Sequence, residues 1–352
     1  MSGKLRVGLI GCGGRGRAHL KGYAAAPGVE LAACADISAE GAKKAADEYK
    51  IPKTYADYRE LLAEEKPDVV SIALWTGLHL EAILACVEAP KPPKLINAEK
   101  PMAPTYGEAR RMHQACEEAG IALTFSHQRR FGPPFVRAKE LLEAGELGEP
   151  IRLEAHCPNL FDWGTHWFDM LFYFNKQQPV DWVLGQIDAT EARNIFGTLV
   201  ESSGLSLFQF ANGVQGLHVT GQARRTDLTE VHAIGTKGRL EVNGNGLRVL
   251  REGRAWESVE GLAKEDGWND TVRYIVDSIE CLQAGRPSIL CSANALMATE
   301  LIFATYESSR RRAKVKLPLL TDESALLSMA EQGELVLPAS VTEFAHTRKK
   351  KA

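Results

Sequence analysis

The sequence carries no strong excess of either charge, no long apolar run and no cysteine pattern, and each lack removes a class of function. Over 352 residues, 42 Lys and Arg stand against 45 Asp and Glu, a formal net charge of -3 with a pI near 6.3. That balance gives no electrostatic case for nucleic acid or an anionic membrane as a partner, and it leaves small neutral ligands open. No apolar run approaches the ~20 residues a membrane helix needs. The seven cysteines (12, 34, 86, 116, 157, 281 and 291) are odd in number, scattered and free of C-x-x-C spacing. This argues against a disulfide framework or a zinc cluster and fits a reducing compartment. The first apolar segment begins by Leu5, which leaves no room for a cleaved leader, so a cytoplasmic location is expected. With 45% apolar and 25% charged residues, the chain can bury a full core and is expected to divide into two domains.

Leu5 to Ile10 is an apolar run that leads into Gly11-Cys12-Gly13-Gly14-Arg15-Gly16 and then a helical stretch to Ala26. The order is strand, glycine turn, helix. In a dinucleotide fold the first glycine makes the tight turn, the second admits pyrophosphate to the backbone, and the third lets helix and strand pack closely. Gly11, Gly13 and Gly16 occupy those places, and Gly14 and Arg15 lie between them. A second apolar strand, Val29 to Ala35, ends in Asp36, 20 residues after Gly16, where the fingerprint expects an acid for the ribose hydroxyls. A carboxylate there accepts from both hydroxyls of NAD and repels the extra phosphate of NADP, so NAD is favoured over NADP. Two readings stay open: Asp36 could cap the helix that begins near Ser38, and Arg15 or Arg17 could meet a phosphate.

The alternation continues. Asp57-x-x-Glu60 opens a helix, Asp68 to Leu74 reads as a buried strand, Gly77 to Glu88 as a helix and Lys94 to Glu99 as a strand. Thr105-x-x-Glu108 is a capping box, and Ile121 to Ser126 is a further strand. Six strands alternating with helices predict a doubly wound parallel sheet. Trp75, Thr76 and His79 follow the fourth strand at its carboxyl end, where such sheets bind ligands. Trp75 and Thr76 are expected cofactor contacts; for His79 a structural role at the helix start is an equal alternative.

Lys100 follows the fifth strand at the same edge, between Glu99 and Pro101, a residue that restricts the backbone on both sides. Glu99 reads as support. After residue 126 the pattern changes: His127-Gln128-Arg129-Arg130-Phe131 and Pro133-Pro134 mark a domain crossing, followed by a helix from Phe135 to Ala144 and a strand from Ile151 to His156. Asp162-Trp163-Gly164-Thr165-His166-Trp167-Phe168-Asp169 opens a helix to about Phe174, with Trp167, Leu171 and Phe174 on one apolar stripe and His166, Asp169 and Tyr173 on another face. An ammonium that binds an alcohol oxygen, an imidazole that takes its proton and a carboxylate that orients either one suit hydride transfer beside a nicotinamide. The plainer alternative is that His166 and Asp169 are a packed helix pair. A metal site built from His156, Asp162, His166 and Asp169 is weaker still, because the glycine turn already implies an organic cofactor, and no metal is expected.

These segments together resemble the Gfo/Idh/MocA family (glucose-fructose oxidoreductase, inositol dehydrogenase and rhizopine catabolism). The resemblance runs from Leu5 to about Leu317. It rests on the glycine turn, Glu99-Lys100-Pro101, Arg129-Arg130-Phe131, Leu147-Gly148-Glu149-Pro150, the D-x-G-x-H-x-x-D of residues 162–169, and Gly235-Thr236-Lys237-Gly238. It implies an α/β protein with three parts. Residues 1–128 are a Rossmann domain. Residues 129–330 are an α+β substrate-binding domain with a large, mainly antiparallel open sheet whose other face often joins copies into dimers or tetramers. Residues 331–352 are an extension. The sequence supports strands at Gly204 to Phe210, Val214 to Thr220, Thr229 to Ile234, Arg239 to Val242 and Leu247 to Arg251, with glycine turns between them, and helices near Trp268 to Ala284 and Ser292 to Arg311. The basic end, Arg348 to Lys351, reads as a disordered terminus.

By that resemblance Lys100, Asp162 and His166 are the catalytic set; Arg129, His156 and Asn159 face the substrate with Asp162 and His166; and Glu99 and Lys100 lie beside the cofactor. The implied activity is NAD-dependent hydride transfer at a secondary hydroxyl of a sugar, polyol or glycoside. Alternatives are an enzyme that recycles its NAD while cleaving a glycoside or coupling two sugars, and a non-catalytic sensor of dinucleotide and sugar. The stretch between the strand and Asp162 is short, only Cys157 to Phe161, which implies a more open pocket than in many members.

Overall fold

The computed structural model of the chain describes residues 3–221 and 230–341. Along the chain come β1 (Leu5–Ile10), α1 (Gly14–Ala25), β2 (Val29–Ala35), α2 (Ala39–Tyr49), β3 (Lys53–Tyr55), α3 (Tyr58–Glu65), β4 (Val69–Ile72), α4 (His79–Val87), β5 (Leu95–Ala98), α5 (Tyr106–Glu118) and β6 (Ala122–Phe125). Next are α6 (Pro133–Glu143), β7 (Pro150–Cys157), α7 (Gly164–Phe174), β8 (Val180–Asp188), β9 (Arg193–Ile195), β10 (Thr198–Val200), β11 (Ser203–Phe210) and β12 (Gln215–Thr220). The remainder is β13 (Glu230–Gly235), β14 (Gly238–Asn243), β15 (Gly246–Arg251), β16 (Trp256–Ser258), α8 (Gly267–Ala284), α9 (Ser292–Arg311), β17 (Val315–Lys316) and α10 (Ala325–Glu331).

Two compact units emerge. The first holds residues 1–103, 108–128 and 267–296; the second holds 104–107, 129–266 and 297–352. A single break at 128/129 therefore misses one feature: residues 267–296, assigned to the second domain from sequence, return to the first unit, where α8 packs along α1 and β5. Residues 342–352, and with them the basic tail, lie outside the described residues, as does Thr229. No helix among the described residues is long and apolar enough to cross a membrane.

The first unit is built on a six-stranded parallel sheet in the order β3-β2-β1-β4-β5-β6. Val69 to Ile72 and Leu95 to Ala98 are buried at every position, as expected for strands covered by helices on both faces. Chain order reverses between β1 and β4, which places the open carboxyl edge of those strands at a topological switch point, the ligand crevice of such sheets. The third strand is only three residues long and shows no pattern of its own; it forms by pairing with Ala33 to Ala35.

The second unit contains a nine-stranded sheet in the order β16-β15-β14-β13-β7-β12-β11-β8-β17, in which β7 and β12 are parallel and the remaining pairs antiparallel. Leu153, Ala155 and Cys157 alternate toward the buried face, where α7 packs. Trp167 meets Phe135 at 5.7 Å, Phe168 meets Phe208 at 6.1 Å and Phe172 meets Phe210 at 5.6 Å between ring centroids. The opposite face carries the other set, including Glu154 and His156. One nine-residue strand, β8, is missing from the sequence expectation. Its alternation is interrupted by Gly185 and by a register shift where Gln209 pairs with Trp182 but Phe210 pairs with Val180, so no clean period of two marks it.

Candidate active site

In the first unit the site begins at the corner after β1. Gly11 has φ +93, and a Cβ there would lie 2.5 Å from the Ala73 carbonyl oxygen; at Gly16 it would lie 2.0 Å from the Gly11 oxygen. Neither position accepts a side chain. Gly13 and Gly14, by contrast, have nothing within 4 Å of an added Cβ, and Gly13 starts α1 with no side-chain cap. Main-chain N–H groups at an uncapped helix start favour an anion. Beside them sits Asp36: the Cys12 N–H donates to Oδ2 at 2.7 Å and the Ser38 N–H to Oδ1 at 2.8 Å. Ser38, not Asp36, caps α2, accepting from the Gly41 N–H at 3.1 Å. Each Asp36 oxygen keeps a second lone pair for a hydroxyl. Open backbone at Gly13 and Gly14, an uncapped helix and an adjacent carboxylate fit the pyrophosphate and ribose of a dinucleotide.

Behind this corner lies a buried polar network. Glu99, at the end of β5, accepts from Arg15 Nε at 2.8 Å and from His19 Nε2 at 3.0 Å. His19, fully buried on α1, faces the Ser71 hydroxyl with Nδ1 at 2.7 Å, so the Nε2–H tautomer satisfies both partners. Burial pushes the Glu99 carboxyl up, but Arg15 and His19 outweigh it and hold the group well below the usual carboxylate range. Arg15 also donates to Thr271 Oγ1 at 3.0 Å. Two expected cofactor contacts thus have another occupation: Arg15 and Glu99 are each other's partners, and they anchor the residue before Lys100. His79 is likewise internal. Its ring nitrogens lie 3.1 Å from the carbonyl oxygens of Met102 and Leu74, and burial pushes the imidazole below its ordinary range. It braces the loop after β4 against the loop after Pro101, the structural alternative weighed from sequence. Thr76 is buried too, whereas Trp75 is 62% exposed. Lys100 is half-buried, and the Lys100–Pro101 peptide bond is cis.

In the second unit Asn159 organises the entry to α7. Its Oδ1 accepts from the Asp162 N–H at 2.8 Å and the Trp163 N–H at 3.0 Å, and its carbonyl accepts from the Gly164 N–H at 2.8 Å. Asn159 thus shapes the turn before α7, with its side-chain oxygen engaged by the backbone. That turn leads into the helix that carries His166, which is buried, while Asp162 is half-buried. Asp169, one turn on, clasps Arg130 with 2.7 Å bonds to both Nε and Nη2, and both side chains are buried. That pair takes Asp169 out of the metal set considered from sequence. Arg129 pairs with Glu265, and its guanidinium lies 4.9 Å from the Trp167 ring centroid and 5.5 Å from that of Trp163. His156 is on β7, its ring 5.4 Å from that of His232.

Residues 5–127 match the family model described as the Gfo/Idh/MocA oxidoreductase family, NAD-binding Rossmann fold. The match covers about a third of the chain, its NAD-binding Rossmann part. Residues 5–127 of the first unit are accordingly similar to that family's NAD-binding Rossmann fold, while residues 267–296 lie outside the match. Myo-inositol 2-dehydrogenase of Thermotoga maritima is 24% identical over 344 residues, covering 89% of this chain and 98% of that protein. Inositol 2-dehydrogenase of Salmonella typhimurium is 32% identical over 158 residues, 44% of this chain and 46% of its own length. At the higher identities the chain spans about half the length of the curated relatives it matches, as for the oxidoreductase YrbE of Bacillus subtilis, 54% covered. Among solved structures, levoglucosan dehydrogenase in complex with NADH and levoglucosan shares the fold with a TM-score of 0.78 at 22% identity, covering 90% of this chain and all of that one.

In the first unit, sequence reasoning missed His19. The signal was present: Arg15 and His19 are four apart on α1, a spacing that puts both side chains on one face, and they meet on the same Glu99 oxygen. Glu265 as the partner of Arg129 had no comparable signal, because 136 residues separate them.

Proposed function

We propose that this protein is a dehydrogenase that uses NAD to oxidise a secondary hydroxyl of a sugar, polyol or glycoside, or to run the reverse reduction. The observation that carries the reading is the corner of the first unit: open backbone at Gly13 and Gly14, an uncapped α1 and Asp36 on the Cys12 and Ser38 N–H groups. In this reading Gly11, Gly13, Gly14 and Gly16 shape the pyrophosphate cradle, Asp36 accepts from the ribose hydroxyls and Trp75 is an exposed wall of the same edge. Nicotinamide, when bound, supplies a hydride acceptor. Lys100 donates to the hydroxyl oxygen and stabilises its growing negative charge. His166 receives the hydroxyl proton, and Asp162 orients the imidazole or a neighbouring hydroxyl. The substrate class is supported by the full-length likeness to myo-inositol 2-dehydrogenase and to D-apiose dehydrogenase of Paraburkholderia graminis, 26% identical over 92% of this chain.

The test is a panel of cyclitols, pentoses, hexoses and glycosides offered with NAD and with NADP, following NADH absorbance together with product identity. A carbonyl product formed in equal amount to NADH supports the reading. Glycoside cleavage with no net NADH would replace it with the cofactor-recycling chemistry, and binding of NAD with no product from any member of the panel would replace it with a sensor.

A further inference from the structure

The face of the nine-stranded sheet opposite α7 carries a cluster that the hydride chemistry does not use. β7 and β13 run antiparallel with Glu230 opposite His156 and His232 opposite Glu154. Side chains two apart on a strand share a face, so all four project from the same side. One ligand atom each from Glu154, His156 and His232 lie within 4.8 Å of one another. His232 stands between two carboxylates: Nε2 is 2.8 Å from Glu230 Oε1, and Nδ1 is 3.5 Å from Glu154 Oε2.

We propose that Glu154, His156 and His232 bind a divalent transition-metal ion of the zinc class, with Glu230 as the outer partner that orients His232. His232 Nε2 is buried with no hydrogen-bond partner although Glu230 Oε1 lies 2.8 Å away, and Nδ1 faces the acceptor Glu154 Oε2 at 3.5 Å. A cation held by Nδ1 and Oε2 would let the ring turn its Nε2–H onto Glu230. Carboxylate, imidazole and metal in line is the usual second-shell arrangement of a histidine ligand. Two imidazoles and one carboxylate suit zinc, copper or nickel rather than magnesium or calcium, and three protein ligands leave a fourth position for water. Metal bonds of ~2.0–2.2 Å require the ligand atoms to draw together slightly.

Two arginines bear on the site: Arg239 has a carboxylate outside it, whereas Arg152 contacts the ligand Glu154 itself. Arg152 Nε lies 2.6 Å from Glu154 Oε1, which leaves Oε2 for the ion. Arg239 Nη2 lies 3.4 Å from His232 Nδ1 but donates to Glu241 at 2.6 Å, so it can yield to the ion without losing its carboxylate. An ion here would tie β7 to β13 across the sheet. The inference stands apart from the dehydrogenase reading, and it gives His156 a different partner from the substrate expected from sequence.

The experiment is calorimetric titration of the chelator-treated full-length protein with zinc and, separately, with magnesium, beside Co2+ absorption spectra. The expected result is one zinc equivalent, little affinity for magnesium, and cobalt bands without the thiolate charge transfer that cysteine ligation would bring. Glu230→Gln should weaken zinc by about 10–100-fold. His232→Gln and His156→Gln, made singly and together, should abolish the one-equivalent isotherm. If the double variant does not fold, the two single variants and Glu230→Gln decide the matter. Unchanged zinc affinity in those variants, equal binding of magnesium, or the absence of saturable zinc binding overturns the proposal.

Discussion

Glu99→Gln isolates the network that supports Lys100. The wild-type carboxylate, 5% exposed, accepts charged or polar donors from Arg15 at 2.8 Å and His19 at 3.0 Å. Removing one member of a fully buried ion pair costs roughly 3–5 kcal/mol. Here the Arg15 side chain is 40% exposed and can turn to water, and the glutamine oxygen can still accept from one donor. The loss of one hydrogen bond to a charged group, about 2 kcal/mol, is the better figure. For a unit of this size that lowers the melting temperature by about 4–8 °C. The pH dependence gives a second reading. Glu99 titrates near ~4.3 in an unfolded chain and lower when folded, so its contribution is complete above that unfolded value and is lost as pH falls below it toward the folded one. Thermal melts of wild type and variant from neutral to acid pH should differ by the full amount at pH 7 and converge in acid. Equal melting temperatures at neutral pH, or a gap that stays constant with falling pH, would refute the network as described.

Three further outcomes are expected. Gly16→Ala places a methyl group 2.0 Å from the Gly11 oxygen; it should cost about 1–3 kcal/mol in a thermal melt and weaken NAD in a binding titration. Asp36→Asn removes the charge that opposes a ribose phosphate, so the NAD-to-NADP ratio of kcat/KM should fall by about tenfold, or about 1.4 kcal/mol; an unchanged ratio would mean that Asp36 serves only the Cys12 and Ser38 N–H groups. Asp169→Ala strands the buried Arg130 guanidinium and should cost about 3–5 kcal/mol in a urea titration, whereas a cost under ~1 kcal/mol would show that the pair is not a structural clasp.

What was legible in the sequence is what is local. The glycine corner and Asp36 lie within one strand-turn-helix-strand unit, so their spacing fixes their relative places, and the strands of the parallel sheet other than β3 announce themselves as largely apolar runs. The return of residues 267–296 to the first unit was not legible, because an amphipathic helix shows that it has a partner but not which one. The role of Asn159 is of a kind a sequence can suggest, since an asparagine side chain readily accepts from backbone N–H groups a few residues on and so makes a turn. Glu99 and Arg15 read as cofactor contacts from position alone, while their pairing spans 84 residues and depends on how α1 crosses β5. The Glu154, His156 and His232 cluster likewise exists only through the β7 and β13 register.

The central claim is that Lys100 and His166 perform the proton chemistry of an NAD-linked oxidation. Lys100→Ala and His166→Ala, each measured for NAD binding and for turnover on the best substrate from the panel, test it most directly. The account predicts near-normal NAD affinity with turnover reduced by about 10²–10⁴-fold in each variant; turnover close to wild type in both would contradict it.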